Sequence, residues 1–187
     1  STLNMHYTIA DPKTFGISEY EPVLPIYHSG QPEDSKEHCS DLLHRLDRID
    51  PDRLSPENAY TYRLLHRSLE NDLALADFPY YNEPLSPSSG MQSQLPVLLA
   101  EYTFRTKRDV TDYLALLDQI DDYFASLLLY EQEKAAAGFF MPACSSEKVR
   151  KQCDTIVTTE ELAQGTHFLQ TTFEDRLSEL QKQGLFT

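Results

Sequence analysis

Basic residues are scarce in this chain: 16 Lys and Arg stand against 30 Asp and Glu, a formal net charge of −14 over 187 residues. Nucleic acid and anionic membrane surfaces both require a basic footprint, so neither is an expected partner. The acidity reads instead as a solvated, solubilising surface. No run approaches 18 apolar residues, which excludes a spanning helix. The opening STLNMHYTIADP has neither a basic start nor a long apolar stretch and does not read as a signal peptide. Cysteine is sparse: Cys39, Cys144 and Cys153 are an odd number, far apart, with no Cys-x-x-Cys. That usage suits a reduced or cysteine-indifferent protein rather than a disulfide scaffold. Convincing apolar–polar alternation is missing too, as are repeats of fixed period.

The familiar catalytic signatures are also missing. There is no His-Glu-x-x-His, Glu-x-x-His, Gly-x-Ser-x-Gly, P-loop or dinucleotide fingerprint. Asp41-x-x-His44, with His38 and Cys39 nearby, has a metal-like spacing, but solvated helix groups explain it better. Ser145-x-x-Lys148 matches a Ser–Lys nucleophile spacing without its companion motifs, and reads as a helix cap followed by a surface lysine. Asp118, Asp121, Asp122, Glu131 and Glu133 read as a solvated helix face rather than a catalytic carboxylate set. Neither a catalytic residue nor a metal ligand is assigned. Cys39 and Cys153 fall on apolar stripes and are expected in the core.

What is present is helical periodicity. The strongest signal is residues 107–137, with Val110, Tyr113, Leu114, Leu117, Ile120, Phe124, Leu127 and Leu128 at three-and-four spacing. Thr106 and Asp109 form a capping-box pattern at its start, and Gly138 with Pro142 ends it. Unbroken, it would span roughly 45 Å, more than a small domain needs, which points to a protein larger than 187 residues. Asp121 and Asp122 would also suit the start of a second helix, so a break near Gln119 is a natural alternative. Further helices are expected at 35–49, 56–77, from Pro96 to about Tyr102, 145–157 and 171–183, with a helical turn at 159–163. Ser55 and Pro56 mark one start. Pro96 marks another, since proline biases Leu95 away from helical backbone. Residues 1–34 form an extended, Pro-containing lead-in whose apolar residues (Leu3, Met5, Tyr7, Ile9, Phe15, Ile17) would lie along something already folded. Residues 79–95 form a Pro-rich loop, and long loops of this kind either carry function or brace a fold. Its cleft candidates are Tyr81, Ser89, Gln92 and Tyr102. The fold class is all-α: one helical module, an irregular multi-helix bundle.

The run SSGMQSQLPVLLAEYTFRTKRDVTDYLALLDQIDDYFASLLLYEQEKAAAGFFMP resembles part of a bacterial family known as domain of unknown function 885. The opening LNMHYTIADPKTFGI, the stretch Tyr80–Pro87 and HFLQTTFEDRL fit the same pattern, and Gly90-x-Gln92-x-x-Leu95-Pro96 is its most specific piece. The resemblance implies a mostly helical protein several hundred residues long, similar to zinc metallopeptidases, with a His-Glu-x-x-His helix in its C-terminal part. That portion is not in this sequence, so no metal or catalytic residue carries over. The implied role is a non-catalytic N-terminal part forming one wall of a substrate cleft. It would bind no cofactor itself, with zinc held by the full-length protein. Its implied partners are the missing C-terminal portion and, through the face left exposed, a second copy of itself. The resemblance suggests export or lipid anchoring, while the cysteine usage also suits the cytoplasm. The competing reading is a self-contained helical binding or scaffold module.

Overall fold

The computed structural model describes residues 16–17, 19–27 and 31–185. Leu3, Met5, Tyr7, Ile9, Phe15, His6 and His28 lie outside them. The described residues are helical and contain no strand. In chain order the helices are α1 (Gln31–Leu46), a 3-10 turn (Pro51–Arg53), α2 (Pro56–Leu75), α3 (Met91–Ala100), α4 (Lys107–Leu117), α5 (Ile120–Ala136), α6 (Ala143–Ile156), α7 (Thr159–Gln164) and α8 (Phe168–Lys182). They fall into two compact units, one drawn from residues 27–82 and the other from 16–26 with 83–185.

The 27–82 unit is a helical hairpin. Asp50 caps the 3-10 turn and Ser55 caps α2, with Pro56 at the first helical position. α1 packs on α2, burying Leu46 and Leu69. A bond from Lys36 Nζ to Asp77 Oδ1 (2.6 Å) ties the start of α1 to the residues after α2. The inward face of α2 carries His66 rather than Leu65, which is exposed. An imidazole belongs there because Asp47 Oδ1 (3.2 Å) and Glu70 Oε1 (3.5 Å) both meet it.

In the second unit α3 packs against α6 and α8. The expected start at Pro96 is corrected: α3 begins at Met91 and contains Pro96. Proline normally costs about 3 kcal/mol inside a helix. Here it sits only two turns in, and the loop supplies the opening acceptors. Met91 N–H donates to Pro84 O (2.9 Å), and Ser93 and Gln94 N–H both donate to Gly90 O (3.0 Å). Burial of Leu95, Pro96 and Leu99 offsets the lost bond.

The stretch 107–137 breaks at Asp118–Gln119, so an unbroken 45 Å rod does not form. Thr106 is the N-cap of α4 and Asp109 completes the capping box. One carboxylate oxygen, Asp109 Oδ2, accepts from Thr106 N–H (2.7 Å), Arg105 N–H (2.8 Å) and the Thr106 hydroxyl (3.1 Å). The buried stripe is rotated from the expected one. It holds Val110, Tyr113, Leu116, Tyr123 and Leu127, while Leu114 and Leu128 are exposed. Tyr102, Phe104, Tyr113 and Phe173 form an aromatic cluster with ring centroids 5.4–6.0 Å apart. Cys153 is exposed, not in the core, because α6 turns Val149, Gln152 and Ile156 inward. Partial burial and the neighbouring Asp154 nevertheless push its thiol up. α8 begins earlier than expected, at Phe168. Its cap is buried His167, whose Nδ1 accepts from Leu169 N–H (3.3 Å) while Nε2–H donates to Ile156 O (2.8 Å).

Candidate functional site

The Pro-rich loop is held by side-chain amides. Gln92, on the first turn of α3, donates through Nε2 to Ser86 O (2.7 Å) and to Gln152 Oε1 (2.9 Å). Gln152, on α6, donates in turn to Pro87 O (2.9 Å). Ser86 O also accepts from Gly90 N–H (3.0 Å), and the Ser86 hydroxyl accepts from Ser89 N–H (3.3 Å). Gly90 is needed for this closure, because a Cβ there would stand 2.2 Å from Ser86 N and 2.5 Å from Ser86 O. The loop is thus a compact plug wired to two helices.

The four cleft candidates sit differently. Ser89 is exposed on this loop and Gln92 is buried beneath it. Tyr102 is fully buried at the end of α3, where its carbonyl accepts from Arg176 Nη1. Burial, followed by the carboxylates of Asp112 and Asp109, pushes its phenol up. Burial likewise pushes the Tyr113 phenol up to about 12. Tyr81, 77% exposed, belongs to the 27–82 unit. A ligand reaching the loop therefore meets Ser89, with Gln92 fixing the backbone under it. A separate cavity of about 350 Å³ is lined by Thr103, Phe104, Arg176, Glu179, Leu180 and Gln183.

The charged cluster of the unit joins the loop to α5. Lys134, only 4% exposed, donates to Glu83 Oε2 and lies 3.8 Å from Glu131 Oε2. Glu83 and Glu131 thus share the Lys134 ammonium. Each carboxyl also keeps a buried Oε1 that makes no hydrogen bond. Desolvation first, then the bond to Glu83 and its charge, raise Glu131 to about 7, against the pull of Lys134. Glu131 is the member of this cluster whose carboxyl is raised toward neutrality.

Sequence reasoning grouped Glu131 with solvated acids and passed over Lys134. The available signal was spacing: Lys134 lies seven residues after buried Leu127, on the same helical face. The metal-like Asp41–His44 pair and the Ser–Lys spacing are both expected as surface groups, and Asp41, His44 and Lys148 are exposed. Asp41 lies 3.9 Å from Arg45. α6 is capped by Pro142, not Ser145, and Ser146 donates to Ala143 O. No three His, Cys, Asp or Glu side chains converge to hold a metal ion among the described residues.

Residues 13–185 match the sequence profile of a family described as "Bacterial protein of unknown function (DUF885)". No curated protein and no solved structure matches the chain.

Proposed function

Starting from the fact that the chain belongs to this bacterial family, we propose that it is the non-catalytic, helical N-terminal part of a larger zinc-peptidase-like protein. In this reading it forms one wall of a cleft, and zinc and general base come from a part outside residues 1–187. Ser89, Gln92 and Tyr102 belong to the wall, Ser89 as a surface group and Gln92 and Tyr102 as supports; Tyr81 is an exposed candidate of the other unit. The observation that carries the reading is the apolar surface on α5 and the turn after it. Leu128 (59% exposed), Leu129 (60%) and Phe140 (74%) stand in solvent beside a well-packed core. Large apolar side chains left out in this way suit a docking surface for further protein.

The test compares this chain with a longer one that includes the metal-bearing part. Metal analysis and peptide hydrolysis are measured on both. The expected outcome is substoichiometric zinc and no turnover for residues 1–187, with both gained by the longer chain. A tight, stoichiometric zinc site in residues 1–187 overturns the proposal.

A further inference from the structure

Arg108, Asp112 and Ala115 share one face of α4, Gln119 follows at its end, and residues 20–24 lie along them with a tight turn at Pro22, where Val23 N–H donates to Glu21 O (3.0 Å). Gln119, at the break between α4 and α5, reads that segment by its backbone. Its Nε2 donates to Pro22 O (2.6 Å) and its Oε1 accepts from Leu24 N–H (2.9 Å). Eleven residues earlier, Arg108 donates through Nη2 to Tyr20 O (2.8 Å) and places its guanidinium 4.5 Å from the centre of the Tyr20 ring. Side chains alternate along the segment: Tyr20 and Pro22 are half-buried and Leu24 is buried, while Glu21 and Val23 are exposed. A backbone read by hydrogen bonds, with alternate side chains received by the surface, is how proteins bind extended peptides.

The receiving groups also have partners other than the segment. Gln119 Nε2 also donates to Ala115 O (2.7 Å), and Arg108 Nε lies 3.3 Å from Asp112 Oδ2, both within the helical stripe. Each receiving group is thus held by its own helical face as well as by the segment. The ligand it fits carries an aromatic residue two before a proline and a leucine two after it. Glu19 and Glu21 flank the aromatic residue of the segment.

We infer that the Arg108–Asp112–Ala115–Gln119 stripe is a binding groove for extended aromatic-x-Pro-x-Leu peptides, occupied in this structure by the chain's own residues 20–24. The inference is independent of the peptidase reading. A segment tethered in cis masks the groove from ligands in solution, so their apparent affinity is the intrinsic one multiplied by the open fraction.

The experiment uses the full chain and a fluorescein-labelled peptide of residues 19–26, followed by fluorescence anisotropy, with circular dichroism to confirm folding. Leu24→Asp unseats the cis segment, and the labelled peptide is expected to bind that chain about tenfold more tightly than the unaltered one. Adding Gln119→Ala to Leu24→Asp removes at least about tenfold of that affinity, since both backbone hydrogen bonds from Gln119 are lost. Tyr20→Ala, a milder release, gives a smaller gain in the same direction and serves if Leu24→Asp does not fold. Equal binding to all chains, no binding to either released chain, or equal binding of a scrambled peptide overturns the inference. So does a released chain that pairs with itself while still ignoring the peptide.

Discussion

Gly90 has no room for a methyl group, because the space a Cβ would take is already filled by the Ser86 backbone and Gln92 Oε1. Gly90→Ala is expected to cost about 2–3 kcal/mol, the range for overpacking a site that cannot relax cheaply. Urea unfolding reads this directly; a midpoint equal to the unaltered chain's would mean the loop shifts freely. Glu131 gives a second single-residue expectation. Its folded-state value, about 7, lies above the ordinary value near 4.5, so the folded chain binds the proton more tightly. Stability from this group is fully present below about 4.5 and is lost as pH rises through about 7. The facing charges are Glu83 from the loop and Lys134 from its own helix. Glu131→Gln keeps a hydrogen-bond donor and cannot ionise, so its melting temperature should fall less between pH 5 and pH 8 than the parent's. Parallel melting curves for the two would remove Glu131 as the titrating group. The Gly-x-Gln spacing stood out in the sequence, but its partners did not. Ser86 and Gln152 lie 6 and 60 positions from Gln92, and only folding brings such separations together.

At the scale of elements, periodicity located nearly every helix, and the failures have identifiable causes. Proline was read as a helix start, whereas loop carbonyls let α3 begin five residues before Pro96. His167 is an uncommon cap, so α8 was placed three residues late. On α4 and α5 the stripe was rotated because Asp109, Asp112, Ser126 and Lys134 are buried polar residues that apolar counting skips. The capping box was legible because Thr106 and Asp109 act locally. Asp109→Ala strips one oxygen of three hydrogen-bond donors. It should cost about 2–3 kcal/mol, the sum of a lost cap and a lost charged acceptor, and differential denaturation checks it. Asp109→Asn should recover part of that loss, since an amide oxygen still accepts.

On the scale of the whole molecule, two tendencies oppose one another. A net charge of −14 keeps copies apart, while Leu128, Leu129 and Phe140 favour association. Repulsion is screened beyond about 10 Å at 0.1 M salt, but apolar attraction is not. Self-association should therefore strengthen from low to high ionic strength and be abolished by Leu129→Lys with Phe140→Ser, as sedimentation equilibrium would report. A dimer that dissociates on adding salt would place the contact elsewhere. Sequence separation also has a consequence for how the protein is made. Leu24 and Gln119 meet across 95 positions. At about 5–20 residues per second, a ribosome delivers the second roughly 5–20 s after the first. During that interval the Tyr20–Leu24 segment has been synthesised before the surface that receives it, so its seating on α4 cannot precede the synthesis of Gln119.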